Sequence, residues 1–456
     1  MRILSVAILF AIASPAFAAD KPNVLFIAID DLRDWVGFLG DKHAKTPNLD
    51  KLASRGVVFT RSYCAAPVCN PSRTALLTGL RPGTTGVYGN GTDWRTVLPD
   101  VVTLPQHFKA NGYEVRGAGK IYHGAFPRMT DWDEFVPNGG EGKIKKKGAT
   151  SDAKDDGVGG IKFKPLNATD ADIPDHPIVN YTIKQLQAKH EKPFFLACGI
   201  HKPHMPWNVP KKYYDMYPLD KIELPPIKEK DLDDVPPAGI RMAKPDGDHA
   251  AMVKSGRWKE AIQAYRAAIS YMDVEVGRLI DAFDKSAYKD NTIVCFWSDH
   301  GWHLGEKEHW RKFALWEEAT RSPMFFIVPG MKPGKCDRTV DYMSLYPTLC
   351  DLCGLPIPKH VQGPSFKSLL SDPVAKWETP AITTHGRNNH GVRTERWRYI
   401  RYANGDEELY DHDADPHEWT NLAKDEKHAA TKKELAKWLP KENKADPEGR
   451  KKNKLD

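Results

Sequence analysis

Acidic and imidazole side chains follow three apolar runs of this sequence, in a pattern that suits cation binding. They are Asp30 and Asp31 after residues 22–29, His201 after residues 194–200, and Asp299 and His300, which follow Ser298 after residues 292–297. Ca²⁺ and Mg²⁺ prefer carboxylate oxygens, whereas zinc prefers nitrogen and sulfur. Three carboxylates gathered without a cation would repel one another. The pattern predicts a hard-cation site, unless these side chains never meet in space.

Cys69, in the segment VCNPSRTALLTG, is a second candidate for chemistry. It could be half of a disulfide, a thiol nucleophile, a metal ligand, or the precursor of another chemical group. A thiolate is a soft ligand and matches a hard cation poorly. The residues themselves leave these alternatives open.

The runs that precede the polar groups are typical of strands buried on both faces. A fourth apolar run covers residues 324–328. Apolar residues recur every three or four positions across 261–285, which predicts an amphipathic helix. Strands alternating with helices predict an α/β fold with a mostly parallel sheet covered on both faces. Ligands bind at the carboxyl ends of the strands in such sheets, where the polar groups lie.

The N-terminal segment has one basic residue, a short apolar run and the small-x-small site Ala16-Phe17-Ala18. It predicts a signal peptide over residues 1–18 and a secreted or periplasmic protein. The run is too short to span a bilayer, and no cysteine follows the cleavage site, so no membrane anchor is expected.

The rest of the chain divides by composition into three parts. Residues 19–371 are predicted to form the catalytic domain, residues 372–440 a small antiparallel subdomain, and residues 441–456 a charged flexible tail. Asn404-Gly405 predicts a hairpin turn in the subdomain. Residues 143–147, 152–160 and 225–247 are interpreted as solvated surface loops.

Charge and cysteine content narrow the function. The formal net charge of +6 suits an anionic substrate, although ordinary surface lysines explain it equally well, and no nucleic-acid partner is expected. Cys198 and Cys295 lie in apolar runs and are predicted core residues. Cys350 and Cys353 lie on a predicted helix ending at Gly354, without a second pair to complete a zinc site. The odd count of seven cysteines leaves a disulfide open.

Several motifs in order resemble type I, formylglycine-dependent sulfatases. The segment CNPSR at 69–73 is followed by Leu-Thr-Gly, and DD, KIYH, HKPH and SDHG occur at 30–31, 120–123, 201–204 and 298–301. The segments GNGTDWR and SDHGWHLGEKEHWRKF are similar to the iduronate-2-sulfatase branch. The resemblance covers residues 21–422. It implies an alkaline-phosphatase-like α/β sandwich with a small C-terminal subdomain carrying an antiparallel sheet.

The resemblance also implies site residues. The positions that match the family's Ca²⁺ site are Asp30, Asp31, Cys69, Asp299 and His300. The positions that match its catalytic residues are Cys69, Arg73, Lys120, His123, His201 and Lys312. Cys69 would be oxidised to Cα-formylglycine by a maturation enzyme, and the hydrated aldehyde would be both nucleophile and metal contact.

The remaining roles follow from the chemistry of a sulfate ester. Arg73, Lys120 and Lys312 would neutralise charge at the sulfuryl group. His201 would protonate the leaving sugar oxygen. His123 would deprotonate the remaining hydroxyl of the diol, so that sulfate is expelled as the aldehyde re-forms.

The resulting interpretation is an exported sulfatase acting on a sulfated saccharide, with a 2-O-sulfated uronate as one candidate. One alternative is a phosphodiester or phosphonate monoester hydrolase of the same superfamily, since some of these share C-x-P-S-R. The KIYH and HKPH motifs favour the sulfatase. Another alternative is a non-catalytic glycan-binding relative, which would be expected to have lost ligands that are present here.

Overall fold

The computed structural model describes residues 21–124, 129–137 and 157–447. The predicted signal peptide, the predicted loop at 143–147 and most of the loop at 152–160 lie outside the described residues. No helix within the described ranges has the length and apolar content needed to cross a membrane.

The strands, in chain order, are β1 (Asn23–Asp30), β2 (Val57–Tyr63), β3 (Glu114–Gly119), β4 (Glu134–Pro137), β5 (Pro165–Leu166), β6 (Phe194–Pro203), β7 (Val209–Pro210), β8 (Thr292–Ser298), β9 (His303–Leu304), β10 (Trp310–Arg311), β11 (Met324–Ile327), β12 (Gly334–Asp341), β13 (Ala381–Thr384), β14 (His390–Arg393), β15 (Trp397–Arg401) and β16 (Glu407–Asp411). The α-helices are α1 (Pro47–Ala53), α2 (Cys69–Thr78), α3 (Pro82–Thr85), α4 (Trp94–Val97), α5 (Leu104–Ala110), α6 (Asp175–Gln187), α7 (Lys211–Tyr214), α8 (Pro237–Ala243), α9 (Ala250–Ser255), α10 (Trp258–Lys285), α11 (Glu317–Thr320), α12 (Leu345–Leu352), α13 (Lys367–Ser371) and α14 (Ala429–Ala436).

A large sheet with the strand order β12-β2-β11-β8-β1-β6-β3-β4 forms the centre of the fold. The strand β1 lies between β6 and β8 and runs parallel to both, which confirms the predicted mostly parallel sheet. The fourth apolar run, β11, is antiparallel to its neighbours β8 and β2. The chain between β8 and β11 carries short helical turns and no long crossover helix, so β11 enters the sheet from the edge at which β8 ends.

Both faces of the sheet are covered, as the continuous apolar strands predict. Leu25, Ile27 and Ile29 of β1 belong to one core cluster, which includes residues of α1, α6 and α10. Val24 and Phe26 belong to a second cluster, on the opposite face, which includes residues of α2, α5 and α12. The helix α10 extends three residues before its predicted start.

The strands β13 to β16 form an antiparallel sheet in the C-terminal region, in sequential order. Gly405 has a φ of 91° in the turn between β15 and β16, at the predicted Asn-Gly hairpin. A buried ion pair from Arg398 to Glu317 joins this sheet to α11, and a second one links Arg398 to Glu418, which follows β16. The boundary at residue 372 remains a prediction.

The start of the charged tail contacts the rest of the chain through its backbone. The N–H of Lys444 donates to the carbonyl of Gly83 at 2.8 Å, and the Tyr88 hydroxyl donates to the Lys444 carbonyl at 2.9 Å. Composition did not indicate these contacts, because backbone groups make them. Residues 448–456 lie outside the described ranges.

All seven cysteines are buried thiols without a disulfide. Cys350 lies in α12, Cys353 follows its last residue, and Gly354 adopts a left-handed φ of 63° that ends the helix as predicted.

Candidate active site

Adjacent parallel strands bring the acidic residues together. Ile29 in β1 is paired with Ser298 in β8, so the next residues of both strands leave the sheet side by side. The backbone N–H of Asp31 donates to Oδ1 of Asp299 at 3.0 Å, and the N–H of Asp299 donates to the carbonyl of Ile29 at 3.2 Å. The carboxyl edge of the sheet therefore carries a compact acidic cluster.

Cys69 joins this cluster from the first turn of α2. Its Sγ lies 3.7 Å from Oδ1 of Asp31, 3.4 Å from Nε2 of His300 and 3.2 Å from Nζ of Lys312. Potential ligand atoms of five residues all lie within 4.8 Å of one another; these residues are Asp30, Asp31, Cys69, Asp299 and His300. Each of the five is fully buried.

The segment VCNPSRTALLTG contains the whole of α2 together with the residue that caps the helix at each end. Val68 is extended and precedes the helix, and Gly79 ends it with a φ of 70°. Pro71 lies in the first turn, where its missing N–H costs no helical hydrogen bond. The Ser72 hydroxyl donates to the carbonyl of Asp299 at 2.6 Å, which fixes the start of the helix against the end of β8. Cys69 is thereby held facing the acidic cluster.

Three cations balance the three carboxylates. Arg73 Nε donates to Oδ2 of Asp299 at 2.9 Å, and its Nη2 lies 3.3 Å from Oδ1 of Asp30. Lys120 forms an ion pair with Oδ2 of Asp30, and Lys312 Nζ lies 2.8 Å from Oδ1 of Asp31. Burial would raise the pKa of Asp30, but Lys120 and the neighbouring cations hold that pKa well below its usual range. Removing one member of these buried pairs would leave its partner uncompensated.

The donor set fits a hard cation with one imidazole ligand. The Nδ1 of His300 lies 3.0 Å from the carbonyl of Gly301, which can only accept, so Nδ1 carries a proton. Its Nε2 faces Oδ1 of Asp31 at 3.3 Å and Oδ1 of Asp299 at 3.6 Å. Burial would lower the pKa of His300, but Asp299 and Cys69 raise it to about 9, so a cation that binds at Nε2 would displace a proton. Asp31 has a left-handed φ of 59°, and its carbonyl accepts the Tyr265 hydroxyl at 2.8 Å. Such outer hydrogen bonds orient metal ligands.

His201 reaches the cluster through an irregularity in β6. The register with β1 shifts after Ile29, so that Asp30 is opposite Pro203. The backbone N–H groups of His201 and Lys202 donate to the buried Asp175 at 2.7 and 2.9 Å. The Nδ1 of His201 lies 3.4 Å from Oδ2 of Asp30, and burial, with Lys120, lowers the pKa of His201 well below its usual value.

Lys312 extends from a loop with unusual backbone geometry. Lys307, Glu308, Arg311 and Phe313 all have left-handed φ values between 50° and 79°. Non-glycine residues rarely adopt this conformation, and such strain concentrates at functional sites. Burial would lower the pKa of Lys312, but the charges of Asp31 and Cys69 raise it, so the side chain is a cation.

His123 lies half-buried in the turn that follows Lys120. The backbone N–H of Lys120 donates to the carbonyl of Gly199 at 2.9 Å, which fixes the start of this turn. The predicted position of His123 beside Cys69 stays a prediction.

A comparison with known families decides the relationship of the chain. The sequence profile of the sulfatase family matches residues 22–355, most of the described chain. The chain belongs to the sulfatase family. A second profile, that of the N-sulphoglucosamine sulphohydrolase C-terminal region, matches residues 305–445 of this sulfatase.

Individual relatives agree with this assignment. A sulfatase of Formosa agariphila is 40% identical over 450 residues, with 93% of this chain and 87% of the relative covered. Human iduronate 2-sulfatase is 34% identical over 395 residues, with 76% of this chain and 72% of the relative covered. The chain is thus a sulfuric ester hydrolase of this family.

The fold is shared with solved structures. The phosphonate monoester hydrolase of Agrobacterium radiobacter superposes with a TM-score of 0.77 at 22% identity, with 91% of this chain and 94% of that chain covered. The predicted alkaline-phosphatase-like fold is confirmed. At this identity the likeness concerns the fold alone.

Two histidines of this sulfatase were missed as site residues. The Nε2 of His204 lies 3.7 Å from Oδ2 of Asp31, and its ring centroid is 4.5 Å from that of His201. The sequence does contain an indication of His204, because it is the second histidine of the HKPH motif. His309 has each ring nitrogen 2.7 Å from a carbonyl oxygen, that of Ala243 and that of Lys312. Burial lowers the pKa of His309, and the neutral ring donates to one of these carbonyls at a time. Sequence gives no sign of either contact, because both partners are backbone atoms.

Proposed function

We propose that this sulfatase hydrolyses sulfate esters of a sulfated saccharide, with Cys69 converted to formylglycine and Ca²⁺ as the cation. The observation that carries the proposal is the position of Sγ of Cys69, within 3.7 Å of Asp31, His300 and Lys312. A soft thiol matches a hard cation poorly, whereas the hydrated aldehyde would place an oxygen there. The proposal includes removal of the predicted signal peptide and export.

The cation would be held by Asp30, Asp31, Asp299 and His300, with the modified Cys69 facing it. Ca²⁺ suits such an oxygen-rich set, and when bound it would lower the pKa of the attacking hydroxyl and draw charge from the sulfuryl oxygens. Arg73 holds two of the carboxylates in place through its contacts with Asp30 and Asp299.

The chain's own cations would stabilise the charge of the reacting ester. Lys312 lies 3.2 Å from Sγ of Cys69, so its ammonium can contact an oxygen of a sulfuryl group that approaches this atom. Lys120 forms its ion pair with a different carboxylate of the cluster, that of Asp30. These charges cost no reorganisation during the reaction, because the buried carboxylates already hold them.

His201 is the proposed proton donor to the leaving sugar oxygen. It is buried beside Asp30, and neither ring nitrogen has a hydrogen-bond partner among the described residues. An arriving anionic ester would favour the charged imidazole, opposing the effect of burial on its pKa. His123 is the proposed base for the step that releases sulfate.

The relatives support a saccharide as the alcohol part of the substrate. Iduronate is a uronic acid, and the human relative named for its 2-sulfate shares 34% identity with this chain. A 2-O-sulfated uronate is therefore the first candidate substrate.

The substrate class can be tested directly with purified, matured enzyme. We expect sulfate release from at least one 2-O-sulfated uronate or sulfated hexosamine, with kcat/KM above that for the phenyl ester of a phosphonate. Ion chromatography of released sulfate and phenol release measure the two reactions. Faster hydrolysis of the phosphonate ester would instead assign the alternative function. Binding of sulfated saccharides without any hydrolysis would favour the non-catalytic alternative.

Removing His201 should affect sugar sulfates far more than aryl sulfates. A sugar alkoxide needs a proton to leave, whereas an acidic phenol does not, so His201→Ala should lower kcat by about 10²-fold only on the sugar ester. His123→Ala should slow both substrates and give a burst of one alcohol per enzyme, since sulfate release does not depend on which alcohol has left. Steady-state and rapid-quench kinetics measure both effects.

The exposed His43 provides a control, since His43→Ala should leave both substrates unaffected. Equal losses for His201→Ala on the two ester types would mean that His201 binds sulfate without donating a proton. The acid would then have to be sought elsewhere, with Lys312 the next candidate.

A further inference from the structure

A cavity of about 430 Å³ lies at the N-terminal end of α2. Its wall includes Val68 and Phe313, the chain neighbours of Cys69 and Lys312. The rest of the wall comes from α8, from Tyr88 and Gly89, and from the turns before β14 and after β15. A volume of this size is typical of small-molecule sites. Its adjacency in the chain to Cys69 and Lys312 makes this cavity a candidate for the part of the substrate that extends from the ester.

The described residues of the cavity wall carry positive charge and include no carboxylate. Among its lining residues, Arg241 and Lys244 are cations, and the wall contains neither aspartate nor glutamate. Both side chains are exposed, and no ion pair to either occurs within the described ranges. Asp406 lies near Arg241, but it accepts hydrogen bonds from Ala238 and Asn404. The two cations are thus available to an anionic ligand.

The backbone that carries these cations is held firmly. Lys244 follows α8 with a left-handed φ of 53°, and its N–H donates to the carbonyl of Ile240 at 3.1 Å. At Gly239 an added Cβ would lie 2.5 Å from Val235 and 2.6 Å from Glu408, so α8 packs closely against the C-terminal sheet. The left-handed residue that ends α8 is therefore a lysine, and the packing of this helix fixes where Arg241 and Lys244 begin.

Phe313 gives the cavity an aromatic wall. Its φ is 79°, an outlier for a bulky residue, and its backbone N–H donates to the carbonyl of Pro67 at 3.2 Å. The residue also lines a second cavity of about 330 Å³, where Arg311 is already paired with Asp248 at 2.6 Å. Of the arginine and lysine residues that line these two cavities in the described ranges, only Arg241 and Lys244 lack an ion pair, and Lys244 lines both.

We propose that the 430 Å³ cavity is a subsite for a second anionic group of the substrate, bound by Arg241 and Lys244 beside Phe313. The inference rests on the proposed function and adds that the substrate must carry a second negative charge besides the reacting sulfate ester. The anionic group is either the carboxylate of a uronic acid or a second sulfate, on the sulfated sugar or its neighbour. A neutral monosulfated sugar lacks this contact.

Paired substrates and charge-removing variants test the subsite. One pair is a 2-O-sulfated uronate glycoside and its carboxyl methyl ester; the other is a disulfated hexose and the corresponding monosulfate. We expect the wild-type kcat/KM to favour the more anionic member of at least one pair. Arg241→Gln and Lys244→Asn should each reduce that preference by about tenfold, the value of one hydrogen bond to a charged group. Asparagine is chosen because it tolerates left-handed backbone.

Controls separate charge from folding. Lys332→Gln, at an exposed lysine outside both cavities, should leave the preference unchanged. Melting temperatures check that the variants fold. A larger change for the uronate pair assigns a carboxylate, and a larger change for the hexose pair assigns a sulfate. An unchanged preference in the folded double variant, or no preference in the wild type, overturns the subsite.

A binding measurement keeps the inference independent of turnover. An unsulfated methyl glucuronide or a sulfated hexose, titrated by NMR, should bind the wild type and lose most of its affinity in the double variant. If no sulfate ester is hydrolysed, the proposed function fails, while this titration still decides the subsite. Equal binding of both anions by the wild type and the double variant would contradict it.

Discussion

Replacing Cys69 by serine is expected to abolish turnover of sulfate esters, with kcat reduced by about 10⁴–10⁶-fold, as for the loss of a catalytic nucleophile. Serine would place a single hydroxyl near the position of Sγ of Cys69, which lies 3.2 Å from Nζ of Lys312. It lacks the second hydroxyl through which the diol would expel sulfate. The variant should therefore release no more than one alcohol per enzyme, which a burst assay with an aryl sulfate measures.

The modification itself has a mass signature. The tryptic peptide containing Cys69 should be about 18 Da lighter than its thiol form, whereas other cysteine oxidations that add oxygen raise the mass. Cys64 is a matched control because it is also buried, its Sγ lies 3.9 Å from the carbonyl of Ala319, and it is not one of the five residues whose ligand atoms form the cluster. Cys64→Ala should keep both activity and the lighter Cys69 peptide. Finding Cys69 only as a thiol or disulfide in an active preparation would contradict the mechanism.

Chelation should remove activity, and Ca²⁺ should restore it. Asp299→Asn removes a charged ligand while keeping the shape of the side chain, so we expect a loss of roughly 10³-fold, equivalent to several kcal/mol of metal-dependent stabilisation. His300→Gln should cost less, because it removes no negative charge. Elemental analysis should find one Ca²⁺ per wild-type chain and less in both variants.

The control for metal binding is a second carboxylate–histidine group. Glu317, His412 and Glu418 are also close enough together to hold an ion, but Arg398 forms ion pairs with both glutamates. Glu418→Gln should therefore leave the Ca²⁺ content unchanged. Full activity in protein shown to be metal-free would rule out a catalytic cation.

The sequence predicts those parts of the fold in which a run of apolar residues reflects burial of a strand. The runs that became β1, β6 and β8 are continuously apolar because both faces of the sheet are covered, and the polar groups that follow them meet because parallel strands end at one edge. The direction of β11 could not be predicted, since a short apolar run is the same in either direction. Direction depends on the route of the preceding loop.

The residues that line the 430 Å³ cavity could not be predicted from the sequence. The stretch 225–247 was interpreted as a solvated loop, yet it contains α8, with Arg241 facing the cavity. A seven-residue helix shows too little periodicity to be recognised in a proline-rich segment. The left-handed conformations of Lys244 and Phe313 were equally hidden, because neither residue type indicates positive φ.

The complete burial of Cys69 limits the time during which the proposed modification could occur. Its thiol is covered in the folded chain, so the maturation enzyme of the proposed function would have to reach it before the cluster closes. Closure requires Asp299, which follows Cys69 by roughly 230 residues, and at about 5–20 residues per second its synthesis comes roughly 10–50 s later. The order of Cys69 and Asp299 in the chain would thus give the maturation enzyme a limited time in which to reach Cys69. Slower synthesis of the intervening chain would lengthen that time and raise the fraction of converted protein.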